Sequence, residues 1–142
     1  MNTNFKEIEL HEIILQYLSN CKRLEAELKL SVNLKEDSIF RAVTEGKIKN
    51  ENTFNAGERS FYYRFHGNGI TFESENLRIN YSFAPISGLG VAFTDMDIKS
   101  FILQKDIKVS FPLTDIEDLF LKLEEMKIVQ RVWPGYHVFV VV

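Results

Sequence analysis

A chain of 142 residues, 45% hydrophobic and 26% charged, has the size of one domain and enough apolar side chains for a core without a structural metal. Its net charge of −3, with Lys and Arg dispersed, offers no basic stripe for nucleic acid, and its single cysteine excludes both an internal disulfide and a thiolate zinc site. No apolar run approaches the roughly 18–20 residues that a membrane span requires. The first residues are acidic and lack a long apolar segment, so no signal peptide is expected and the cytoplasm is the expected compartment.

Asn4 and Glu7 have the spacing of a capping box. The helix they would open carries Leu10, Ile14, Tyr17, Cys21, Leu24 and Leu28 at three- and four-residue intervals, widened by Ile13 and Leu18, and runs to about Leu30. Cys21 falls on this stripe and reads as a small buried hydrophobe. His11-Glu12 begins like a zinc-protease motif, but Leu15 stands where the second His belongs. A shorter helix is expected over Asp37–Glu45, with Ile39, Phe40 and Val43 inward and Gly46 just past its end. Lys47–Arg59 is polar and turn-rich, and reads as a mobile connection touching the body at Ile48 and Phe54.

Ser60–Phe83 organises the rest. Phe61, Tyr63 and Phe65 alternate with Tyr62, Arg64 and His66, and Leu77, Ile79, Tyr81 and Phe83 alternate with Arg78, Asn80 and Ser82. Period-2 patterning of this kind predicts an antiparallel meander of three strands with one face on the core. Turns fall at Gly67-Asn68-Gly69 and at Ser74-Glu75-Asn76. After a loop at Ala84–Gly90, Val91–Phe93 is a short fourth strand, and Thr94 caps a helix with Ile98, Phe101 and Ile102 inward. Thr114-x-x-Glu117 opens a further helix as a capping box, with Ile116, Phe120 and Leu123 on its core face and Leu119 and Met126 at its margin. Ile128–Val132 and Tyr136–Val142 form a hairpin across Trp133-Pro134-Gly135. The final run YHVFVVV must be covered on both faces or pair with another protein, because an exposed apolar edge invites aggregation. The expected fold is a single α+β domain over residues 1–142. Its sheet is mainly antiparallel, a central meander plus the C-terminal hairpin, packed against about four helices.

The residues that could carry chemistry have sufficient structural explanations. Gly67-Asn68-Gly69 precedes a strand instead of a helix, so it lacks the dipole end of a phosphate cradle. His66 and Asn68 are candidates for ligand contact beside that turn, although the imidazole capping the turn or meeting a neighbouring carbonyl is the weightier reading. His11, His66 and His137 lie on different elements and would have to converge to hold a metal. Asp95, Asp97, Asp115, Glu117 and Asp118 cluster in first turns of helices, where the dipole favours negative charge. No Gly-x-Ser-x-Gly elbow is present. The reading is of a non-enzyme with no catalytic residue, metal or cofactor. Trp133 and Tyr136 on the hairpin tip read either as anchors for a protein partner or as a Trp folded back on the core beside a turn, and Asp115, Asp118, Glu124 and Glu125 of the acidic helix Thr114–Met126 are further candidate partner contacts.

Over Ser38–Phe93 the chain resembles a family of small bacterial α+β proteins of unknown function. The likeness is carried by IFRAVTEGKI, a spacer with Gly57, FYYRFHGNGITF and RINYSF. It implies an α+β domain with a strand ending in aromatic-His-Gly-x-Gly, and implies no activity. Asn80 and Ser82 depart from it, standing where the family pattern has acidic residues, so no carboxylate role carries over to that strand. By analogy with proteins of this size that sit beside bacterial toxins, the expected function is that of an immunity protein. It would bind and neutralise a cognate toxin, with a basic nuclease suiting the acidic helix. The alternative is a small-molecule-binding domain or cryptic enzyme with a pocket near His66 and the Gly88–Gly90 loop. Self-association into a homodimer through the terminal strand is a third expectation.

Overall fold

The computed structural model describes residues 5–35, 38–67, 69–75, 77–83 and 90–142, and for Phe83 the backbone alone. Its elements in chain order are α1 (Phe5–Ser31), α2 (Ile39–Thr44), β1 (Glu51–Ala56), β2 (Arg59–His66), β3 (Gly69–Ser74), β4 (Leu77–Phe83), β5 (Val91–Thr94), α3 (Asp95–Gln104), α4 (Ile116–Glu125), β6 (Val129–Arg131) and β7 (Val138–Val141). The strands form one antiparallel sheet in the order β1-β2-β3-β4-β5-β7-β6. This is the single α+β domain that the alternation and the helical stripes predict.

The period-2 rows set the layering. Phe61, Tyr63, Phe65, Ile70, Phe72, Ile79 and Tyr81 are buried on the face that receives the helices, whereas Tyr62, Arg64, His66, Arg78 and Asn80 lie on the other. Phe54 stacks on Phe61 with centroids 5.7 Å apart and meets Phe72 edge-on at 5.7 Å, tying three strands together across the core. Helix α1 lays Leu10, Ile13, Ile14, Tyr17, Cys21, Leu24 and Leu28 on this layer. Tyr17 meets Phe101 of α3 edge-on at 5.4 Å, and Phe120 of α4 packs on Phe139 of β7 at 4.8 Å. Each fully buried ring contributes about 1.5–3 kcal/mol. Burial also pushes the Cys21 thiol far up, so it stays protonated and packs as an apolar group.

Several expectations change. Lys47–Arg59 is not a mobile connection: residues 51–56 form β1, paired with β2 from Glu51↔Arg64 to Ala56↔Arg59. Gly57, at φ +64, permits the tight turn between them. Only Phe54 and Ala56 are buried in β1, so its apolar alternation is too sparse to register as a strand. Thr114 does not cap α4. Leu113–Asp115 form a 3-10 turn, in which the Asp115 N–H donates to the Pro112 carbonyl at 3.0 Å, and Thr114 lies inside that turn instead of ahead of the helix. The Thr94 cap does form, as a full capping box with Asp97. Leu119 is fully inside the core and Met126 outside it. Asn4 and Asp37 lie outside the described residues.

Within the C-terminal run, β7 is enclosed, while Tyr136, His137 and Val142 at its ends are exposed. β7 sits between β5 and β6, with Phe139 toward the helices and Val140 packed with Ala92 and Val132 on the other face. Both of its edges are paired, so the expected dimer through this strand has no open edge to use. The expected covering of both faces holds for β7 and not for the ends of the run.

Candidate functional site

The turn of the β6–β7 hairpin, the start of α3 and the first turn of α4 meet at one end of the molecule. Trp133 and Tyr136 remain 43% and 64% exposed there, next to Pro134 and Gly135, which are also exposed. The turn is held from below. The Tyr136 N–H donates to the Trp133 carbonyl at 3.2 Å, and Arg131 Nη1 donates to the Tyr136 carbonyl at 2.5 Å. Arg131 is itself fixed by two bonds to Glu124, 3.1 and 3.0 Å, with its guanidinium 4.8 Å above the Phe139 ring. The backbone of the tip is therefore anchored while its aromatic side chains face solvent.

His137 follows the tip and lies between two carboxylates. Its Nδ1 is 3.5 Å from Asp95 Oδ2, and its Nε2 is 3.5 Å from Glu117 Oε1. The two ring nitrogens point to different carboxylates, which leaves no common position for an ion. No group of His, Cys, Asp or Glu among the described residues is placed to hold a metal. Asp95 begins α3 and Glu117 lies in the first turn of α4, so their charge also favours those helix ends.

Of the residues singled out from the sequence, Trp133 and Tyr136 share this end with the α4 turn carrying Asp115 and Asp118. Glu124 is committed to Arg131 and anchors the tip instead of facing a partner. Glu125 is exposed at the far end of α4 from Asp118. Asp95, Glu117 and His137 complete the cluster. The sequence marks Asp95 and Glu117 only as first-turn acids, and nothing in it signals that a residue of the hairpin closes between them.

The second candidate, His66, is turned back onto its own sheet. Its Nε2 is 2.8 Å from the Thr71 hydroxyl, which donates to Asn80 Oδ1 at 2.5 Å, and the Asn80 side chain bonds the Asp97 carboxylate. Direction follows from donor inventory. An amide that gives its N–H to Asp97 presents oxygen to Thr71, and a hydroxyl already donating to Asn80 can only accept from the imidazole. His66 therefore carries its proton on Nε2, and Thr71 is 2% exposed beneath it. The ring lies over Gly69, where a Cβ would stand 3.0 Å from His66 Cε1 and 3.0 Å from the Tyr81 carbonyl. This explains the His-Gly-x-Gly spacing: the second glycine makes room for the ring. Of the two structural roles expected for His66, capping the turn or meeting a neighbouring carbonyl, the ring folds over the turn glycine and its Nε2 meets the Thr71 side chain instead of a carbonyl.

The relay ends at a split in the sheet. β4 pairs with β5 only at Ser82 and Phe83, and α3 covers the remainder of its edge. There Gln104 accepts from the Arg78 N–H and donates to the Arg78 carbonyl, reproducing a strand partner with one carboxamide, while the Tyr17 hydroxyl donates to the Asn80 carbonyl. Burial raises the Asp97 pKa above its usual range, and hydrogen bonds from Thr94 and Asn80 pull the other way. The resulting notch, about 280 Å³, is lined by Tyr17, Arg78, Asn80, Asp97, Ser100 and Gln104, and most of these polar groups are bonded to one another. Asn68 and Gly88 lie outside the described residues. Gly90 lines a different groove with Leu15, Leu18 and Val141, away from His66.

No helix among the described residues is long and apolar enough to cross a membrane. No curated protein and no solved structure matches the chain. One family model does, over residues 10–140, which include both hairpins and the split between them. The chain belongs to that family, a domain of unknown function (DUF6896).

Proposed function

We propose that this is a protein-binding module of the bacterial cytoplasm, an immunity protein that neutralises a cognate toxin by direct contact and performs no reaction of its own. The observation that carries this reading is the tip of the β6–β7 hairpin. Trp133 and Tyr136 stay in solvent on a backbone pinned by Arg131, with Asp95, Glu117 and Asp118 around them. Large amphipathic side chains held rigidly within a polar rim are the composition of binding hot spots. The carboxylates suit a partner with a basic face, such as a nuclease, whose approach they would accelerate.

The test begins with capture of partners from the source cells on the immobilised chain, followed by titration of the purified partner and co-expression of the two. The expected partner has a basic contact face, and its toxicity is suppressed by the wild type. Its affinity should fall by about 2 kcal/mol or more in a Trp133→Ala/Tyr136→Ala variant. A partner whose binding ignores both tip substitutions, or whose toxicity is unaffected by the wild-type chain, would overturn the reading.

A further inference from the structure

Helix α1 spends one side on the core and leaves the opposite side to solvent. Ile8, Glu12, Leu15, Ser19, Lys22 and Ala26 run along that outer side, and all six are exposed. They are spaced alternately four and three residues apart, the period of a seam at which one helix meets another. Ile8 and Leu15 keep 40% and 45% of their surface in solvent. Among the described residues, the two most exposed large apolar side chains are Phe5 at 82% and Leu30 at 76%, and they stand at opposite ends of this same helix. About seven helical turns separate them, so they share a face beside the seam.

The order of residues along the seam selects its occupant. Turned end for end about a point between Leu15 and Ser19, the seam lands on itself: Ile8 falls on Ala26, Glu12 on Lys22 and Leu15 on Ser19. Each large apolar side chain then faces a small one, which lets two helix axes approach closely, and each carboxylate faces an ammonium. The same turn brings Phe5 of one copy to the Leu30 end of the other. A two-fold dimer requires this pattern, in which residue i touches j and j touches i. A parallel pair would instead set Glu12 against Glu12 and Lys22 against Lys22, so charge also fixes the direction. Leu15, Leu18, Ser19 and Lys22 form one wall of a groove of about 430 Å³ with Val91 and Val141 opposite, a recess beside the seam for side chains of the second copy.

We propose that α1 is a homodimerisation helix, pairing antiparallel with α1 of a second copy across a two-fold axis between Leu15 and Ser19. The overlap from Phe5 to Leu30 is about 38 Å long. With a charged pair and a serine in each half, the seam is too polar for an obligate dimer, and the association is reversible on dilution. Self-association thus uses an open helix face, whereas both edges of β7 are already paired. Partner binding at the β6–β7 tip is independent of it, since no residue of that tip lies on α1.

The test is analytical sedimentation of the full chain over a wide concentration range. The wild type should pass reversibly from one chain mass to two. Glu12→Lys or Lys22→Glu sets like charges together on both sides of the axis and should weaken the dimer at least about tenfold. The double variant Glu12→Lys/Lys22→Glu restores opposite pairs and should recover most of that loss. Leu15→Glu should leave a monomer, and Lys108→Glu, away from α1, should sediment as the wild type. All of these side chains are exposed, so circular dichroism should show the fold retained in each variant. A chain that is monomeric throughout would overturn the proposal, as would a dimer indifferent to the single reversals or a double variant no better than either. Monomers that float with phosphatidylcholine vesicles would assign the face to a lipid surface and overturn it equally.

Discussion

The two hairpin tips of this protein use their conspicuous residues in opposite ways. At the β2–β3 tip, the His-Gly-x-Gly motif is spent internally, with the imidazole folded over Gly69 and bonded to a buried threonine. At the β6–β7 tip, an arginine fixes the backbone while the Trp and Tyr side chains keep 43% and 64% of their surface in solvent. A residue that looks chemically special can thus be a stitch, and a pair of aromatics beside a Pro-Gly turn can be a presented surface.

The contrast can be broken or sharpened by substitution. The largest effect is expected from Gly69→Ala, whose new methyl meets His66 and the Tyr81 carbonyl at 3.0 Å. Crowding of that kind costs about 1–3 kcal/mol, readable as a lowered urea midpoint with an unchanged slope. Thr71→Val keeps the shape but removes the centre of the relay, stranding Asn80 Oδ1 and the His66 Nε2–H. A loss of about 1–2 kcal/mol is expected, together with faster exchange of the imidazole proton seen by nitrogen-15 NMR. Gln104→Ala should cost about 1 kcal/mol and, by opening the β4 edge at Arg78, should raise the concentration-dependent aggregation rate.

A smaller effect is expected from Asp97, and its sign follows from burial. A carboxyl whose folded pKa lies above its unfolded value contributes stability that is whole below the unfolded pKa and is lost as pH rises through the folded one. Stability of the wild type should therefore decline across the interval just above the ordinary aspartate range. Asp97→Asn should flatten that decline, since its amide oxygen still accepts the Thr94 N–H. Denaturation curves collected at successive pH values check both slopes.

Much of this was legible in the alternation of Phe61–Phe65 and Leu77–Tyr81, the α1 stripe and the Thr94 box, because local period and capping chemistry dictate them. β1 was not legible, since its burial is confined to Phe54 and Ala56 and its strand character comes from pairing with β2. The position of β7 in the sheet interior was only implied by its apolarity. Trp133 and Tyr136 could be named from their place at a turn. The His137 contacts with Asp95 and Glu117 and the Asn80 relay join residues distant in sequence, and only the assembled sheet brings them together.

The most direct test of the contrast is a single set of urea denaturation curves for the wild type, His66→Ala and Trp133→Ala/Tyr136→Ala. A stitched tip beside a presented one predicts a loss of about 1–2 kcal/mol for His66→Ala and a shift within about 0.5 kcal/mol for the double variant. An unchanged midpoint for His66→Ala with a collapsed one for the aromatic pair would contradict it.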